Sequence, residues 1–270
     1  KPETSVSEAV HAVAFYENTV GLPLYPTEDQ LANFTQEALS TYVKELFIPQ
    51  RMVVCAIGAD HASLVDQAKK AFGGPRAKDP VVEAPNYTGG DFRAADYNQP
   101  TLHLSLAFEA SPWRSKDVYA MCVVQTMMGG GGSFSAGGPG KGMCSRLYTN
   151  VLNQYGWVDN VQSFDSIFSD TALFGINAMC GPTMGAEMVD VLCSEFIKMA
   201  KVGTEELERA KEQLKVGLLM QLESRPLQLE DTGRQVLTYN KVLSTADVCA
   251  TIDAVTVADV QRVVSAMLKK

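Results

Sequence analysis

The chain has 270 residues, 46% hydrophobic and 20% charged, which is ordinary globular composition and enough chain for one large domain or two smaller ones. Its 31 acidic against 23 basic side chains leave a formal charge of −8. That balance excludes nucleic acid as a partner, since phosphate binding needs Lys and Arg to displace counterions, and it favours cationic ligands only weakly. The longest apolar runs, such as 52–57, fall far short of the ~20 residues a membrane-spanning helix needs, so no direct membrane span is expected.

Along the chain, 4–19 reads as a helix with Val6, Val10, Val13 and Ala14 on one face, ended by Gly21, Leu22 and Pro23. A second helix is predicted from about 28 to 46, capped by Thr27, with Leu31, Phe34, Ala38, Leu39 and Tyr42 as its buried stripe. Residues 51–58 (RMVVCAIG) predict a strand too apolar to face water on either side. A helix carrying Leu64, Ala68 and Phe72 follows, with Asp60 beside His61 placed to cap it. The proline- and glycine-rich stretch up to about Gln99 reads as a linker. Strands are predicted at 101–108, 158–168 and 172–179, and helices at 116–128, around 143–152, at 185–201, 205–222, 226–239 and in two short final segments. Thr204 and Thr256 read as N-caps. A few strands with helices grouped after them predict an α+β layer rather than a doubly wound sheet.

Thr27, Leu31, Phe34, Ala38 and Leu39 align with Thr256, Val260, Val263, Met267 and Leu268 at a shift of 256 − 27 = 229. Either the chain holds two copies of one unit, or two Thr-capped amphipathic helices simply look alike. The six cysteines contain no CxxC pair and read as buried free thiols. His11, His61 and His103 have no second histidine four residues away, so HxxEH and HExxH zinc motifs cannot be built here, and His103 reads as structural. The chain starts at Lys1 rather than Met, with no visible signal peptide or basic presequence, so a leader or a longer stretch is expected to precede it.

Composition is quiet apart from one place. Eight of the 21 glycines fall in the fourteen residues 129–142, GGGGSFSAGGPGKG. A Walker A loop would need Ser or Thr after Lys141, where Gly142 stands, and glycine at position 135, where Ser135 stands. A dinucleotide fingerprint would need glycine at Met143 and a strand, not a helix, before the segment. Both nucleotide readings are poor. Such a segment suits a flap lying close against an extended peptide backbone; a flexible connector is the competing reading.

The segment 129–142, continuing into Ser145, Arg146, Leu147 and Tyr148, resembles the glycine-rich loop of the alpha-type subunits of mitochondrial processing peptidases, in the pitrilysin family. The stretches around 222–237 and 11–24 are similar to the same group, so the resemblance runs through the chain in order. It implies a pitrilysin-type α+β fold of two homologous halves, each a mixed sheet covered by helices and incomplete here at both ends. Residues 1–75 would belong to the first half, 76–97 to a linker, and 98–270 to the second half without its final strand. It further implies a non-catalytic, substrate-recognition subunit without a cofactor of its own, in the matrix or on the matrix face of the inner mitochondrial membrane. Its partners would be a zinc-bearing beta subunit, cationic presequence peptides and, in some lineages, cytochrome subunits of respiratory complex III. The substrate-binding residues carried over are Gly129, Gly130, Gly131, Gly132, Ser133, Phe134, Ser135, Gly137, Gly138, Pro139, Gly140, Lys141 and Gly142. The alternative is a purely structural core subunit of complex III. The acidic groups Glu205, Glu206 and Glu208, or Glu223, Glu230 and Asp231, could meet a cationic peptide. Helix-dipole compensation explains the first group equally well, and internal pairing with Arg225 and Arg234 the second.

Overall fold

The computed structural model describes residues 2–74, 78–133 and 143–269 and divides into two compact units. One gathers Lys1–Leu22, Pro85–Leu218 and Thr245–Lys270; the other gathers Pro23–Ala84 and Leu219–Ser244.

The first unit is built on four strands, β1 (Leu102–Glu109), β2 (Gly130–Gly132), β3 (Val158–Ile167) and β4 (Ala172–Cys180), in the order β1-β4-β3-β2. The strands predicted at 101–108, 158–168 and 172–179 fall on β1, β3 and β4 to within one residue at each end. All adjacent pairs are antiparallel, which corrects the expected mixed sheet. The reason is local. Phe168 N–H donates to the Thr171 carbonyl at 2.9 Å, closing a tight turn between β3 and β4, and so short a connection can join only antiparallel neighbours.

Strand β4 lies inside the sheet. Its Phe174, Ile176, Ala178 and Cys180 are buried in one core with α5 (Val118–Met128), α6 (Gly185–Lys198) and α10 (Val257–Met267). Leu173, of opposite parity, joins a second cluster with Ala14 and Phe15 at the end of α1 (Pro2–Ala14). Each such buried side chain contributes about 1.5–3 kcal/mol of hydrophobic stabilisation. Helix α1 stops at Ala14 instead of reaching Thr19 because its last carbonyls find other partners. The Ala14 carbonyl accepts from Thr88 N–H at 2.8 Å, and Asn18 Nδ2 donates to the Asn86 carbonyl at 3.0 Å. Residues of the predicted linker are therefore fastened to α1. Helices α7 (Thr204–Leu222) and α9 (Thr245–Asp253) complete this set. Thr204 is the first helical residue rather than the cap, since Leu207 N–H donates to the Gly203 carbonyl at 3.0 Å.

The second unit holds α2 (Glu28–Leu31), α3 (Gln36–Leu46), α4 (His61–Phe72) and α8 (Arg225–Tyr239). The single helix expected over 28–46 is two. Thr35 Oγ1 accepts from Ala38 N–H at 3.2 Å and starts α3 afresh, the competition by a short hydroxyl side chain that favours caps over helix interiors. The stripe expected to be buried (Leu31, Phe34, Ala38, Leu39, Tyr42) is exposed, as no described residue covers it. Residues 52–57 are likewise no strand and are half-buried or exposed: none of the described strands pairs with them. Asp60 caps α4 as expected, its carboxylate accepting from Ser63 N–H at 2.8 Å. Thr27 and Thr256 both head capping boxes, with Gln30 and Asp259, so the offset of 229 recurs (256 − 27 and 259 − 30).

Candidate functional site

The glycine segment begins as a helix end. Gly129 follows α5 with φ 53°, its N–H donating to the Gln125 carbonyl at 2.8 Å. Its own carbonyl accepts from the N–H and the hydroxyl of Ser163, at 2.8 and 3.0 Å. Ser163 is buried and ties the end of α5 to the middle of β3. The next three glycines are β2, in register Gly130↔Gln162, Gly131↔Val161 and Gly132↔Asn160, followed by Ser133 N–H donating to the Asp159 carbonyl at 2.9 Å. The expectation that all of 129–142 is one loop is thus corrected at its start. Four glycines and Ser133 belong to a helix terminus and a sheet edge, and at Gly130 the approach is too close for a side chain: a Cβ there would lie 2.1 Å from the Val161 carbonyl oxygen. Phe134, Ser135, Gly137, Gly138, Pro139, Gly140, Lys141 and Gly142 lie outside the described residues.

The far flank is equally anchored. Ser145 Oγ accepts from Gly130 N–H at 3.2 Å, so the two flanks touch. Arg146 is buried and forks onto Glu206, with Nε–Oε1 2.6 Å and Nη2–Oε2 2.7 Å. The same guanidinium donates to the carbonyls of Lys198 at 2.8 Å and Lys201 at 2.5 Å, satisfying orphan carbonyls where α6 ends. A π-helical turn at Tyr148–Leu152 follows, with Tyr148 and Val151 in the core.

Antiparallel alternation decides what the edge offers. Gly131 faces β3, so the N–H and C=O groups of Gly130 and Gly132 point away from it. Ser145 takes the Gly130 N–H; Gly132 presents its pair on the side of the sheet where no described strand lies. Burial raises the Asp165 carboxyl above its ordinary range, and burial, with the Asp165 charge second, pushes the Cys122 thiol up to about 12. The expectation of uniformly buried thiols is corrected: Cys180 is buried, whereas Cys144 and Cys193 are exposed.

Of the acidic candidates, Glu206 is held by Arg146, Glu208 pairs with Lys211, and Glu230 with Arg234. Asp231 accepts from Gln235 at 2.7 Å. These carboxylates are occupied internally. Among the described residues no three His, Cys, Asp or Glu side chains cluster as a metal site, and no helix is long and apolar enough to cross a membrane. Arg146 and the buried Ser163 escaped notice as site residues, because their partners lie 60 and 34 residues away and no local pattern marks them.

A family model described as the peptidase M16 inactive domain matches residues 33–214. The mitochondrial-processing peptidase subunit alpha of Homo sapiens is 40% identical over 286 aligned residues, which cover 99% of this chain and 54% of that protein. Its counterpart from Rattus norvegicus is 39% identical, with 99% and 55% covered. The chain spans about half the length of the curated relatives it matches. In a solved structure of complex III2 from Candida albicans with Inz-5 bound, one chain superposes with a TM-score of 0.84 over 98% of this chain and 64% of its own length. At 19% identity that is a likeness of fold.

Proposed function

This chain belongs to the peptidase M16 family through its inactive domain, and on that premise we propose that it is a non-catalytic, substrate-recognition subunit of a mitochondrial presequence-cleaving zinc metallopeptidase. The observation that carries the reading is the glycine edge strand β2. An extended peptide can approach a backbone bare of side chains and pair with the outward groups of Gly132, in the manner of strand addition. The substrate-binding set is the one carried over from the resemblance. Zinc belongs to a beta subunit, where it polarises water and the scissile carbonyl when bound. This chain's own part is to bind and orient the peptide. The pair works in the matrix or on the matrix face of the inner membrane. The halves are 1–75 and 98–270, joined by 76–97; the uncovered apolar side chains from Leu31 to Ile57 support a larger first half.

The test follows the corrected boundaries. Replacing 134–142 by a short Gly-Ser bridge leaves β2 and its Ser145 anchor intact. In the reconstituted heterodimer it should raise KM for a presequence peptide at least about tenfold with a smaller effect on kcat, while the subunits still co-elute. An unchanged KM sinks the proposal. The likeness of fold to a complex III chain favours one rival, a purely structural core subunit; an intact, zinc-loaded native complex that leaves presequence peptides uncut would decide for it.

A further inference from the structure

Beside the Ser145 flank lies a cleft of ≈ 520 Å³ lined by four cationic side chains, Arg146, Lys198, Lys201 and Arg209, and by the carboxylate of Glu206. In a chain of net charge −8 such a cluster runs against the overall balance. Ion pairing explains only part of it. Arg146 uses both oxygens of Glu206. Lys198 Nζ donates to the buried Glu195 at 2.8 Å, and Asn150 Nδ2 holds the other oxygen of that carboxylate at 3.0 Å. The side chains of Lys201 and Arg209 make no ion pair with another described residue, leaving two unpaired cations at one cleft.

The wall also carries an unused donor. The Arg146 side chain is 10% exposed, and its fork onto Glu206 fixes its orientation in the wall. A guanidinium has five N–H groups. Nε gives one to Glu206, Nη2 gives two to Glu206 and the Lys201 carbonyl, and Nη1 gives one to the Lys198 carbonyl. The second Nη1 hydrogen has no acceptor among the described residues. Arg146 lines the cleft, so a guanidinium hydrogen without a protein acceptor is available to an oxyanion there.

We propose that this cleft binds a phosphate group. A phosphate monoester carries about −1.5 to −2 charges and three strong acceptor oxygens, which answers two unpaired cations and one fixed guanidinium hydrogen together. A single carboxylate would leave one cation unmatched. The cationic presequence of the function proposed above is repelled here, so the two sites are separate and the readings stand or fall independently. The phosphate could arrive on a soluble ester or on a phospholipid headgroup.

Titration calorimetry of inorganic phosphate into the full-length protein, in low-salt chloride buffer, tests the site. Binding is expected at roughly millimolar Kd or tighter. The double variant Lys201→Glu/Arg209→Glu, checked by circular dichroism for an unchanged fold, should bind at least tenfold more weakly. Lys241→Glu, a charge reversal at an exposed position elsewhere, should change affinity less than twofold. Flotation with phosphatidylcholine vesicles, with and without phosphatidic acid, separates the sources. Recruitment by phosphatidic acid that is lost in the double variant assigns a lipid headgroup; phosphate binding without recruitment assigns a soluble ester. The proposal is overturned if the folded protein takes up no phosphate, or if the double variant binds as tightly as the parent.

Discussion

One added carbon separates the two kinds of glycine in this chain. At Gly130 the backbone has φ 114°, and a Cβ would meet the Val161 carbonyl oxygen at 2.1 Å; at Gly131 φ is ordinary and nothing lies within 4 Å. Gly130→Ala should therefore destabilise the protein by about 2–4 kcal/mol, read as a lower midpoint in urea, while Gly131→Ala should change stability by less than about 1 kcal/mol. Equal shifts in the two variants would contradict the close packing of β2 on β3. Because it spares the fold, Gly131→Ala is also the cleaner probe of peptide binding. The sequence marked these glycines by their crowding but not by their roles. Four in a row look alike until register assigns one to a helix end and three to a strand. The Arg146–Glu206 pair was hidden for a related reason: Glu206 fits the acidic first turn of α7 equally well without any partner.

At the scale of elements, α5 and α10 are tied by a two-pronged contact, Arg262 Nη1 and Nη2 to the two Asp117 oxygens at 2.9 and 2.8 Å. The Arg262 hydrogen bonds hold the Asp117 carboxyl below its usual range. A carboxyl lowered in the folded state stabilises the fold above its unfolded value, about 4, and that contribution is lost as pH falls through the folded value. Urea stability should accordingly decline on acidification from about pH 4 downwards, and Asp117→Asn should flatten part of that decline. Parallel pH profiles for variant and parent would count against the tie. The strand β1 was legible because its residues alternate with period two, and β3 and β4 because turn residues bound them. Residues 28–46 were misread as one helix because periodicity does not register a hydroxyl at Thr35 drawing the backbone into a new cap. The strand expected at 51–58 depends on a neighbour, and hydrophobicity alone supplies none.

For the whole molecule the net charge of −8 has a kinetic consequence for the proposed substrate. Long-range attraction of an Arg-rich peptide falls off once the Debye length shrinks from about 10 Å at 0.1 M salt to roughly 4 Å at 0.5 M. Stopped-flow association of a presequence peptide should slow by about tenfold over that range, with dissociation much less affected; a salt-independent on-rate would place recognition in non-ionic contacts alone. Fold class and the outline of the sheet could be read from periodicity. The division into units could not, because 86–88 returns to α1 through hydrogen bonds that no composition shift announces.

The strand order also sets a timetable. Among the described residues β1 pairs only with β4, whose partnering residues lie 64 to 78 positions further along, from Glu109↔Leu173 to Leu102↔Cys180. A ribosome adding roughly 5–20 residues per second needs about 4–16 seconds to supply that partner. Throughout this interval an alternating apolar strand stands unpaired, ready to pair with any other chain. The hairpin of β3 and β4 forms from neighbours as soon as it emerges, whereas β1 is a segment that a holding chaperone must shield during synthesis.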